Sequence, residues 1–186
     1  MTVSVDLLVI VPLLLVALIG VALALFLQRA SGALRATRQV ERFQQESASL
    51  GARLDAVLDV IIQRVDAVRR HETDGATIVD DLASAMAALD QGVTDAMDLR
   101  APAPLVRSRE GILAEVAHAQ RALAMVQHGC EIASGPRARS RSTEAEISIK
   151  RGYLNLLHAR EALSGHVADL AEARDPAQAA WRTFRV

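Results

Sequence analysis

From Leu7 to Leu27 every residue is apolar, glycine or proline. In a helix rising 1.5 Å per residue that run is about 30 Å long, the thickness of a bilayer's hydrocarbon core. The spacing therefore predicts a single N-terminal transmembrane helix. A cleaved secretory signal is the alternative, with Ala22-Leu23-Ala24 as a small-x-small site. Such signals carry a basic leading segment and a shorter apolar stretch, whereas here Asp6 precedes a longer one. No Cys follows the run, which argues against a lipoprotein signal. Pro12 falls in the first turns, where a missing N–H is tolerated. Residues 1–29 are thus expected to form an outward-facing N-terminus and an anchor.

Arg29, Arg35, Arg38 and Arg42 follow the span, and only Asp6 precedes it. The positive-inside bias places the C-terminal side in the cytoplasm, giving a single-pass protein of the cell membrane with its N-terminus outside. Arg29, Arg35 and Arg38 are also candidates for contact with anionic headgroups, each worth about 1 kcal/mol close to the surface. Over the whole chain charge is balanced, with 21 Lys and Arg against 22 Asp and Glu. Aromatic residues make up only 3% of the chain, too few for the stacking rows of single-stranded nucleic-acid binders. Nucleic acid is therefore not an expected partner.

Beyond the span, Leu50, Leu54, Val57, Ile61, Val65 and Val68 recur at three or four positions, the spacing of one helical face. His71 to Ala76 predicts a break with capping residues Thr73 and Asp74. A second helix then carries Ile78, Leu82, Met86, Leu89, Val93 and Met97, and Ala101-Pro102-Ala103-Pro104 ends it. The third is expected from about Ser108 or Glu110, with Ile112, Val116, Ala119, Leu123 and Val126 on one side, and stops before Gly135-Pro136. A basic loop, Pro136 to Arg141, leads to a fourth helix with Ser142 or Thr143 and Glu146 as a capping box. Its apolar face takes in Ile149, Tyr153, Leu156, Leu157, Leu163, Val167 and Leu170. Amphipathic helices joined by short breaks bury their stripes against one another. The expected fold is all-α: the anchor, then an antiparallel bundle of about four long helices over residues 30–186.

Chemistry-bearing motifs are scarce. The ten glycines are scattered singly, so no phosphate-cradling loop is present. His71-Glu72 lacks the second His of a zinc-protease helix. His158 and His166 share a helical face without identifiable partners, and His118 and His128 stand alone. Cys130, the only cysteine, cannot form an intramolecular disulfide and suits a small core position. The expectation is no catalytic, metal or cofactor site, no cofactor, and no identified small-molecule substrate.

The layout resembles the LemA family of bacterial membrane proteins. Leu54-Asp55 through Ile61-Ile62, Val65 and His71-Glu72 are similar to that family's first long helix, and Ala159-Arg160 with Val167 and Leu170 to its last. The chain departs from the pattern at Gln44, where the family carries Trp, and at Leu58-Asp59, where it carries Ile-Pro. Leu163-Ser164 and Leu170-Ala171 replace its Tyr-Asn pairs. The resemblance implies a membrane-tethered scaffold without catalytic residues. The functional expectation is accordingly a scaffold or interaction module at the cytoplasmic face, with the lipid bilayer and protein partners, or a second copy, as its contacts. Alternatives are a structural subunit of a larger membrane complex, or an enzyme or sensor component whose chemistry does not surface in the sequence. In the C-terminal tail, Trp181, Arg182 and Phe184 mix aromatic and cationic character, which suits a membrane surface.

Overall fold

A computed structural model describes the backbone of residues 7–136 and 138–172, and the side chains of Leu18, 37–136 and 138–172. Four α-helices occur among these residues: α1 (Leu7–Arg69), α2 (Val79–Asp98), α3 (Val106–Ser134) and α4 (Ser142–Glu172). Short 3-10 turns at Gly75–Ile78, Ala103–Leu105 and Ala138–Arg141 lead into the last three. No strand is found among the described residues, so the all-α expectation holds. The chain divides into two units, Met1–Val40 and Glu41–Val186. Of the first, the described part is helical from Leu7. Among the described residues no helix is long and apolar enough to cross a membrane. The side chains of the run Leu7–Leu27, Leu18 excepted, lie outside them.

The second unit is a closed antiparallel bundle, as cross-helix pairs show. Arg53 meets Asp95 at 2.7 Å and Arg64 meets Asp81 at 3.5 Å, so numbers rise along α1 as they fall along α2. Gln120 of α3 donates to Asp90 of α2 at 2.6 Å. Arg160 of α4 bridges Asp55 and Asp59 of α1, each at 2.7 Å. The amide of Gln44 donates to the Leu170 carbonyl at 2.8 Å, so α4 ends beside the residue near which the bundle portion of α1 starts.

The breaks follow local chemistry. Helix α1 ends with His71 in the left-handed region at φ 59°. Its N–H donates to Val68 O, and that of Glu72 to Ala67 O. These are the two reversed bonds that close a helix C-terminus, normally with glycine at the left-handed position. Asp74 then accepts from Ala76 N at 3.1 Å, capping the 3-10 turn rather than α2 itself. Helix α3 begins at Val106, ahead of the expected Ser108. Proline's fixed φ is already helical, so Pro102 and Pro104 lead into the helix as well as ending α2.

The core contains Leu50, Leu54, Leu58, Ile61, Val65, Leu82, Leu89, Ile112, Val116, Leu123, Val126, Leu156 and Leu163. Two expected core positions are corrected. Met97 is 56% exposed while Ala96 is fully buried, and Leu157 is 36% exposed while Leu156 is fully buried. Both stripes otherwise face the core as expected, with Ile78, Leu82 and Leu89 buried on one and Ile149, Leu156, Leu163 and Leu170 on the other, and alanine and glycine fill the face between them: Ala85, Gly92 and Ala96 on α2, and Ala145, Gly152 and Ala159 on α4. Small residues let helices approach closely. A Cβ on Gly152 would stand 2.8 Å from Ala122 O, and one on Gly129 3.0 Å from Ala145 O.

Candidate functional surfaces of the bundle

Of the residues expected at a membrane surface, only the side chain of Arg38 is described, and it is exposed. Arg29, Arg35, Trp181, Arg182 and Phe184 lie outside the described side chains. Arg42, also exposed, spends its charge on Glu46 at 2.8 Å. A 520 Å³ groove beside it, between α1 and α2, is lined by Gln45, Ser49, Arg53, Asp95 and Asp98 among others. Asp95 accepts from Gln91 and Arg53, and these bonds hold its carboxyl below the usual carboxylate range.

The opposite pole gathers the α1–α2 and α3–α4 connections. A 760 Å³ cleft there has Val68, Gly75, Ala145 and Ile149 among its lining, with Arg69, His71, Glu72, Asp74, Arg139, Glu146 and Lys150. Cations and carboxylates alternate around it, so it has no single-sign field. Arg69 and Arg70 both clamp Asp66, whose carboxyl is lowered by those two hydrogen bonds. The Arg69 guanidinium also lies 5.1 Å over the Tyr153 ring. In the basic loop, Arg141 is tied to Glu144 at 2.7 Å, Arg139 is exposed, and Arg137 lies outside the described residues.

Cys130 packs behind this cleft, almost fully buried against Gly75. Burial, reinforced by Asp74 and Glu131, pushes its thiol up to about 11, so at neutral pH it is a protonated, weakly nucleophilic core residue. The sequence reading placed it correctly in the core.

The histidines do not arrange themselves as the shared face of His158 and His166 suggests. His158 stands against His118 of α3, edge to face, with ring centroids 6.1 Å apart. His166 instead faces Gly111. Glu115, one turn before His118, brings Oε2 to 3.5 Å from His118 Nδ1, and that oxygen is buried with no hydrogen-bond partner. Spacing along one helix could not reveal this pair, because which α3 residue faces His158 depends on bundle register. Among the described residues no group of three or more His, Cys, Asp or Glu is placed to hold a metal ion.

Sequence reasoning also missed an apolar face. Ile147 and Leu154, seven residues apart on α4, are 46% and 52% exposed, and Leu157 continues them. Lys150, Arg151, His158 and Glu161 share this exposed side.

No family model, curated protein or solved structure matches the chain.

Proposed function

We propose that the chain is a membrane-anchored helical scaffold or interaction module working at the cytoplasmic face, LemA-like in layout and without catalytic activity of its own. The observation that carries this reading is the apolar run Leu7–Leu27 followed by Arg29, Arg35, Arg38 and Arg42, ahead of a bundle with its own core. A run of that length partitions into a bilayer core, and the arginines that follow it resist translocation. The exposed Ile147, Leu154 and Leu157 supply the apolar centre that a protein contact needs, with Lys150, Arg151 and Glu161 as a charged rim.

The aromatic and cationic mix of Trp181, Arg182 and Phe184, which follow α4 in sequence, supports a second membrane contact. The test is a set of three measurements on the full chain. Alkaline extraction should leave it in the membrane pellet with Leu7–Leu27 retained in the mature protein. A reporter fused after Val186 should be active only in the cytoplasm. Trp181 fluorescence should shift to the blue on anionic vesicles at low salt in a variant lacking the apolar run. Release by alkali, or a mature N-terminus at or after Leu25, would overturn the anchor. A reporter active outside would reverse the orientation, and an unchanged Trp181 spectrum would remove the tail from the membrane surface.

A further inference from the structure

We propose that His118 of α3 and His158 of α4 form a two-imidazole site for a borderline divalent cation, zinc(II) being the reference ion, with the Glu115 carboxylate as the residue that positions His118. The two rings come from different helices and meet at 6.1 Å with an interplanar angle of 64°. They are held there by backbones that come close together, since Gly129 and Gly152 let α3 and α4 touch. His158 is exposed and the His118 side chain is 29% exposed, so an ion reaches the pair directly from solvent. Turning the rings about χ2, a broad and soft torsion, lets both present a nitrogen to one ion.

The independent observation is Glu115. Its Oε2 is a buried acceptor with no hydrogen-bond donor, 3.5 Å from His118 Nδ1. An acceptor left unsatisfied in this way is costly, and an imidazole whose Nδ1–H is strengthened by a metal on the other nitrogen relieves it. Carboxylate, imidazole and metal in that order are how metal-bound histidines are usually oriented. Arg160, two residues from His158, is committed to Asp55 and Asp59 on α1, so its charge is drawn to the opposite side of α4. Two imidazole nitrogens select zinc, nickel or copper over magnesium or calcium, which require oxygen donors. Among the described residues no third protein ligand is in place, so the remaining positions of a tetrahedral ion belong to water or to a donor from another molecule. With two protein ligands the site has one fewer than an open zinc centre and two fewer than a structural one, so its affinity depends on what fills the remaining positions.

The test uses the full chain in detergent micelles, freed of metal by chelation and titrated with zinc chloride. Calorimetry should show one zinc per chain, with magnesium chloride giving no heat under the same conditions. His118→Ala and His158→Ala should each abolish it. His71→Ala, His128→Ala and His166→Ala should bind as the wild type does. Glu115→Gln should keep the stoichiometry and weaken affinity about 10- to 100-fold, the usual effect of losing a carboxylate behind a metal-bound imidazole. Imidazole nitrogen NMR of the unmodified protein gives a readout that needs no variant to fold: zinc should move one nitrogen each of His118 and His158 and leave the other three histidines in place. Absence of binding at millimolar zinc, shifts confined to other histidines, or binding that survives loss of both His118 and His158 would each overturn the proposal.

Discussion

The same substitution, glycine to alanine, should have opposite effects at two positions of one helix. In an unconstrained helix interior the change stabilises by about 0.5 to 1 kcal/mol, because glycine loses more backbone freedom on folding. At Gly165 nothing lies within 4 Å of the new Cβ, so Gly165→Ala should realise that gain. At Gly152 the Cβ would stand 2.5 Å from a Val126 methyl, 2.8 Å from Ala122 O and 3.0 Å from Val126 N. Carbon contacts are comfortable at about 3.5 to 4.0 Å. The methyl could rotate away, but a helix carbonyl moves only if α3 moves, so the two helices must part. Overpacking of this kind costs about 1 to 3 kcal/mol, and the involvement of backbone places it toward the upper end. Less the propensity gain, Gly152→Ala should cost about 1 to 2 kcal/mol. For a domain near 150 residues each kcal/mol shifts Tm by about 2 to 4 °C. Far-UV circular dichroism melts should then show Gly152→Ala melting about 2 to 8 °C lower and Gly165→Ala about 1 to 4 °C higher than the parent. Shifts of the same sign at both positions would mean that α3 and α4 do not touch as described.

Four further outcomes are expected. His71→Gly should raise stability by about 0.5 to 1 kcal/mol in denaturant titrations, since glycine adopts the left-handed conformation of that position without cost. Leu156→Ala should cost about 2 to 5 kcal/mol and Leu157→Ala under about 1, measured by the same titrations, because the first is fully buried and the second half-exposed. Asp55→Asn should cost no more than about 1 kcal/mol at neutral pH, as the pair with Arg160 is partly solvated. The folded-state carboxyl of Asp55 is lowered by its Arg160 hydrogen bond, so its contribution is present above the unfolded pKa and is lost as pH falls through the folded value; melts should show the variant and parent converging below about pH 4. Cys130 should resist a thiol reagent in the native protein and label only as the bundle unfolds, which rapid-quench labelling across a denaturant series would show.

Much of this fold was legible in the residue order. The stripes of the bundle part of α1 and of α3 are built from Leu, Ile and Val, and their apolar spacing maps onto the buried face: Leu50, Leu54, Ile61 and Val65 on one, Ile112, Val116, Leu123 and Val126 on the other. The breaks at His71–Ala76 and Gly135–Pro136 were equally plain, since capping and proline chemistry act locally. Helices α2 and α4 depart from the apolar pattern only at Met97 and Leu157, which face outward while Ala96, Gly152 and Ala159 share the packing with the expected leucines and isoleucines. A hydrophobicity pattern weighs a side chain by its size and misses burial achieved by having almost none. The His118, Glu115 and His158 arrangement was illegible for a different reason: it depends on the register between two helices, which the packing of their facing residues determines, Gly129 against Ile149 and Gly152 against Val126 among them. The expected membrane contacts at Arg29, Arg35, Trp181, Arg182 and Phe184 fall outside the described side chains.

The hydrogen bond between Gln44 and the Leu170 carbonyl also bears on how such a chain can be rearranged in evolution or by design. A unit whose incoming and outgoing strands of backbone emerge side by side can be spliced into a host loop, or exchanged for another helical cassette, without altering the gap its neighbours must bridge. Lengthening α1, α2, α3 and α4 by matched heptads would extend the cassette away from that pole while keeping both junctions together. The bundle is thus adjustable in reach at constant footprint, and homologous units of unequal length would be expected to share the Gln44 end and differ at the other.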